Sequence, residues 1–154
     1  MARAYTIRSS NVSVSVVQDL LSIQTTSGMV CEIDELVAGQ VTATTIGNLN
    51  CSFKRFSGAY SIGSAGTSVT PRPHLFGDSA ATCTGRANDT TQTSGGTSVT
   101  LDSDVFNVVN GYVKLPAPED RWSFTLSQAF IWSLDTAPTG AESMSVKATF
   151  RELV

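Results

Sequence analysis

Charge is scarce in this sequence. Only 15% of its 154 residues are Asp, Glu, Lys or Arg, against roughly 25% in an ordinary soluble domain. The net charge is −3, and Lys and Arg never gather into a run. Binding to a phosphate backbone needs such a patch, so a nucleic-acid role is not expected. Histidine occurs once, at position 74. A nucleophile–His–acid set would have to be built around His74, and nothing in the sequence beyond Asp78 and abundant serine marks partners for it. Three cysteines, Cys31, Cys51 and Cys83, are too few and too widely spaced for a disulfide framework, and no CxxC or Cys/His pair signals zinc. They read as small buried hydrophobes of a chain folded in a reducing cytoplasm. No apolar run approaches the ~20 residues of a membrane helix, and the segment MARAYTIRSSNVSVSVV has no signal-peptide core. A helical period is missing too. Val16–Ile23 is the best candidate, and its β-branched surroundings favour a strand broken by a turn at Gln18-Asp19.

What is present is alternation with a period of two. Met144, Val146, Ala148 and Phe150 share one face of a strand, with Ser145, Lys147, Thr149 and Arg151 on the other. Phe130, Trp132 and Leu134 form a second such face, Leu49, Cys51 and Phe53 a third, and Thr97, Val99 and Leu101 a fourth. Turn signals separate these runs: Thr26-Ser27-Gly28, Ala38-Gly39, Ile46-Gly47-Asn48, Asn88-Asp89, Ser94-Gly95-Gly96, Asn110-Gly111 and Thr139-Gly140. Asn110-Gly111 between Val108-Val109 and Tyr112-Val113 has the form of a type I′ hairpin. Hydrophobic residues at 41% suffice for a core. The expectation is an all-β chain: a single-domain antiparallel β-sandwich, jelly-roll-like, spanning 1–154, with a long irregular loop excursion at about 57–96.

Chemistry is hard to find. Glu32/Asp34/Glu35, Asp102/Asp104 and Glu119/Asp120 are acidic groups without a partner across a cleft that sequence can place. Asp102-Ser103-Asp104 begins like a calcium loop and lacks its glycine and distal glutamate. There is no P-loop, GxGxxG or HExxH. No catalytic residue, metal or cofactor is therefore expected. The interface candidates are Pro71, Arg72, Pro73, Leu75 and Phe76, within the stretch TPRPHLFGDSAA, and Pro116, Pro118, Arg121 and Trp122. Pro71 and Pro73 fix φ and remove two donors, which makes a stiff arm rather than a central strand. Leu75 and Phe76 then require burial on the chain's own sandwich or on a neighbour. Trp122 beside Arg121 suits either an interface hot spot or a cap on the sandwich end.

Several segments, in order, resemble a family of small virion structural proteins of tailed bacteriophages and prophages. They are Val12–Ile23, Val30–Gln40, Gly66–Pro73, Asp78 with Ala80-Ala81, Phe106-Asn107, Gly111-Tyr112, Leu115–Glu119 and Ser145–Leu153. The chain departs from the family pattern at Lys54–Tyr60, where a partner-specific contact would fit. The resemblance implies a β-sandwich of the capsid decoration or cement type, lying on the phage head surface and made in the bacterial cytoplasm. Its partners would be the major capsid protein and copies of itself, as a homotrimer, with no nucleic acid, membrane or small-molecule substrate. The competing readings are a tail- or fibre-associated module using Trp122, Trp132 or Tyr60 to bind carbohydrate, and a sandwich hydrolase using His74, Asp78, Asp102 or Asp104.

Overall fold

The computed structural model describes residues 2–26, 28–43 and 47–153. Ser27 and Ile46, in two of the expected turns, lie outside the described residues. The described chain is an antiparallel β-sandwich of two sheets. Its strands are β1 (Ala2–Val14), β2 (Gln18–Thr25), β3 (Val30–Ala43), β4 (Asn48–Ser61), β5 (Thr67–Val69), β6 (Arg72–Pro73), β7 (Cys83–Asp89), β8 (Ser94–Asn107), β9 (Tyr112–Lys114), β10 (Ser123–Phe124), β11 (Gln128–Leu134) and β12 (Glu142–Leu153). One sheet runs β10-β3-β12-β1-β6, with β9 sharing the outer edge of β3 with β10; the other runs β5-β7-β2-β11-β4-β8. The only helical turn among the described residues is a 3-10 turn at Pro118–Asp120. No described helix is long and apolar enough to cross a membrane.

The inward faces are those that the alternation marks. Met144, Val146, Ala148 and Phe150 of β12 are buried, as are Leu49, Cys51 and Phe53 of β4. Trp132, Phe53, Phe130, Tyr5 and Phe150 are the largest fully buried side chains, each stabilising the fold by about 1.5–3 kcal/mol through burial. On β8 the alternation fares differently. Val99 is 45% exposed, within a stretch of the edge strand, 94–100, that is exposed throughout. Strand β11 is buried on both faces: Phe130, Trp132 and Leu134 enter the main core, while Ala129 and Ile131 pack with Phe56 under Tyr60 and Ile62.

Three expectations change. The turn after β1 falls at Ser15–Val17, and Gln18 and Asp19 are already paired strand residues, opposite Leu134 and Ser133. Their burial selects the strand, since both side chains are 0–1% exposed. Asn110-Gly111 does not close a hairpin: β8 belongs to one sheet and β9 pairs with β3 in the other. Gly111 has φ 71° but Asn110 is not left-handed, so the type I′ geometry is absent and the turn hands the chain across the sandwich. The excursion at 57–96 also contains more sheet than expected, with the end of β4, β5, β6, all of β7 and the start of β8. Strand β7 escaped notice because its inward residues are Cys83, Gly85, Ala87 and Asp89, too small or polar to read as an apolar face. Gly85 has a packing reason: a Cβ there would lie 1.8 Å from Ile7 Cδ1, so glycine lets Ile7 of the opposite sheet reach the β7 backbone.

Candidate functional site

The arm begins at buried Pro71. Short β6 pairs with β1, Thr6 opposite Arg72 and Tyr5 opposite Pro73. The His74 amide donates to Ala4 O at 2.9 Å, and the His74 ring meets Thr6 Oγ1. Further along, Tyr5 Oη donates to Ser79 O at 3.1 Å. The base of the arm is thus sewn to the sheet edge. Its tip is a turn in which the Asp78 amide donates to Leu75 O, 3.2 Å, with Gly77 at φ 97°. A positive φ at the third position is the type II pattern, and it throws the second residue outward. That residue is Phe76, fully exposed at 103%, beside Leu75 at 66%. Leu75 and Phe76 therefore do not pack on their own sandwich. Arg72 and Pro73 are exposed with them.

The second candidate segment turns inward. Trp122 stacks on Phe53 (ring centroids 4.9 Å apart) and on Phe130 (5.8 Å), which makes it a cap on the core. Lys114 Nζ lies 6.0 Å from both the Phe53 and Trp122 rings. Arg121 is an anchor: its Nε sits 2.8 Å from Asp34 Oδ1, an ion pair whose N–H is not aligned for a hydrogen bond. Arg151 holds the same carboxylate through Nε, 3.0 Å, and Nη2, 2.9 Å. Of this group only Pro118 is exposed; Pro116 is half-buried. Trp132 is fully buried, and Tyr60 leans on Phe56 with its ring half-covered. Of the three aromatics considered for carbohydrate stacking, Trp132 is closed off and Trp122 and Tyr60 are each partly covered.

Asp34, Glu35, Asp102 and Asp104 are each paired with a cation. Lys114 Nζ is 2.6 Å from Asp102 and 3.6 Å from Asp104, and Tyr112 Oη donates to Asp104 at 3.0 Å. Lys114 accordingly holds the Asp102 carboxyl below its ordinary value. Glu35 is lowered likewise, by Lys147. Two buried acids that the sequence did not flag lie opposite each other, Asp19 on β2 and Asp89 on β7. Asp89 takes three bonds from Arg86, at 3.2, 3.0 and 2.7 Å, and one from the Gly66 amide, 3.0 Å. Asp19 accepts from the Thr93 amide (2.7 Å) and Ser133 Oγ (2.8 Å); burial pushes its pKa up, with Asp89 a lesser cause. Their bonds run to Gly66 and Thr93, and a Ser64–Thr91 bridge closes the loops above. This arrangement fastens loops to the sheet and offers no open cleft.

A third cluster joins the two sheets. Cys31 on β3 and Glu152 on β12 are register partners, and Cys83 comes from β7 across the sandwich. Their ligand atoms lie within 4.8 Å of one another, and all three residues are buried. The Cys83 thiol is held far above its ordinary value by contact with Cys31, then by burial and Glu152. The third cysteine, Cys51, is elsewhere, with its thiol pushed up to about 11 by burial. No spacing in the sequence announces this cluster, because the strands that meet there are far apart in the chain.

Comparison of the chain with protein-family models, curated proteins and solved structures returns no match.

Proposed function

We propose that this protein is a structural subunit of a tailed-bacteriophage virion, a decoration or cement protein that binds the head surface as an oligomer, a trimer in the simplest arrangement. The observation that carries this reading is the arm tip. A phenylalanine and a leucine stand in solvent on a turn whose base is bonded to the sheet edge at Ala4, Tyr5 and Thr6. Exposed single hydrophobes are ordinary, but a tip held this firmly keeps its apolar group ready for a partner at little ordering cost. The low charge of the surface fits a protein that is covered again by assembly, and the family resemblance points the same way. The inward placement of Trp122 and Trp132 favours this over a carbohydrate-binding module. Likewise Asp102 and Asp104 are tied to Lys114, which favours it over a hydrolase.

Mass spectrometry of purified particles from the producing host tests the reading, with an expected copy number on the order of hundreds, as head symmetry requires of a capsid decoration. Absence of the protein from the particles would sink the proposal. In a second arm, Leu75→Ser/Phe76→Ser protein is added to particles lacking the wild-type chain. Lost occupancy with unchanged melting is the expected result.

A further inference from the structure

Cys31, Cys83 and Glu152 bring two thiols and a carboxylate together in the interior of the sandwich. Glu152 is fully buried. One of its oxygens, Oε1, is fully engaged: it accepts from the Thr82 amide (2.7 Å), the Cys83 amide (2.9 Å) and Thr82 Oγ1 (2.9 Å). The other, Oε2, is buried and has no hydrogen-bond partner. Among the described residues, no lysine or arginine forms an ion pair with Glu152. A buried carboxylate without a cation is costly. The same three backbone and hydroxyl bonds that satisfy Oε1 also fix the direction in which Oε2 points.

We propose that Cys31, Cys83 and Glu152 bind a thiophilic divalent cation, Zn²⁺ being the reference case. Two sulfurs and one oxygen are a donor set that zinc accepts, at about 2.3 Å for sulfur and about 2.0–2.2 Å for oxygen. Tetrahedral bonding at those lengths puts ligand atoms about 3.8 Å apart or less. The present spread, within 4.8 Å, exceeds this by at most about 1 Å. A disulfide between Cys31 and Cys83 would use up the thiols and leave Oε2 as it is, whereas a cation answers both. A groove of about 400 Å³ beside the base of the arm, lined by Val69, Pro71 and Ala81 among others, reaches one member of the cluster, Cys83. A metal here would tie β3 and β12 of one sheet to β7 of the other, and would brace the segment from which the arm returns.

The test uses the full chain, purified with reductant, stripped with chelator and titrated with Co²⁺, then with Zn²⁺. The expected result is a thiolate-to-cobalt charge-transfer absorption that saturates at one equivalent, is displaced by Zn²⁺, and is accompanied by a rise in melting temperature. Cys83→Ser should abolish the absorption, Glu152→Gln should weaken binding by about tenfold or more, and Cys51→Ser should change neither. The wild-type titration decides the matter even where Cys83→Ser fails to fold. Wild-type protein with free thiols and no charge-transfer band overturns the proposal. So does an intact mass showing Cys31 and Cys83 already disulfide-bonded in protein isolated from the host cytoplasm, or a band that survives loss of Cys83.

Discussion

The arm at Pro71–Phe76 and the segment at Pro116–Trp122 are built from the same materials: two prolines, an arginine and an aromatic ring. They end in opposite states. Trp122 caps the core against Phe53 and Phe130, while Phe76 stands wholly in solvent. The two segments part ways on the C-terminal side of their prolines. After Pro118 the chain re-enters a sheet as β10, pairing Phe124 with Cys31, and Arg121 pins the approach to Asp34. After Pro73 it makes a glycine turn whose second residue must point away. Proline and aromatic composition thus marks a stiff, apolar segment, and the next backbone pairing decides which way the ring faces.

Substitutions in the two segments should separate them further. Trp122→Ala should cost about 3 kcal/mol, as large aromatic truncations in a core do, whereas Phe76→Ser should stay within about 0.5 kcal/mol. Chemical denaturation of both variants measures this, and similar losses would erase the distinction. Arg121→Ala comes next, at about 1–2 kcal/mol, moderated because Arg151 still holds Asp34; an equal loss in Arg72→Ala, whose side chain is exposed, would again blur the two regions. Gly77→Ala should cost about 1 kcal/mol, since a Cβ is strained at φ 97°. The damage should be confined to the arm, read as faster proteolytic cleavage there with the global transition little changed.

The smallest effect is a pH dependence belonging to the inward region. Lys114, which lies over the Trp122 ring, lowers the Asp102 pKa in the folded state below its ordinary 3.8. A lowered carboxyl contributes stability that is complete above its unfolded value and lost as pH falls through the folded one. The pair is partly exposed, so the contribution is below about 1 kcal/mol. Lys114→Met should remove this acid-side slope, and an unchanged slope in the variant would show that the pair contributes nothing.

Much of the fold was legible. The apolar faces of β4 and β12 could be read because apolar side chains alternate with polar ones over five or more residues, and that of β11 because Phe130, Trp132 and Leu134 recur at a period of two; these faces are buried. Strand β7 could not, since its inward positions hold cysteine, glycine, alanine and aspartate, and its partner Ile7 supplies the bulk instead. Asn110-Gly111 misled because turn chemistry specifies a reversal, not the sheet that receives the next strand. Of the interface candidates, Leu75 and Phe76 stand in solvent, while Arg121 and Trp122 also make contacts within the sandwich. The thiol–carboxylate cluster was invisible for a topological reason: Cys31 and Cys83 become neighbours only when two sheets close on each other.

Strands β1 and β12, the farthest apart in the sequence, lie side by side within their sheet, from Ala2 opposite Leu153 to Val14 opposite Glu142. Such a ladder can zip only after β12 has been made, and closing so long a loop delays folding. On the ribosome, β1 must wait for β12 before this ladder can form. The edge on which β6 and the arm are stitched is β1 itself, so the arm acquires its footing only when that wait ends. Until β12 arrives, the strand that carries the arm lacks its longest ladder, so the order of synthesis sets when the Phe76 tip stands on a finished sheet.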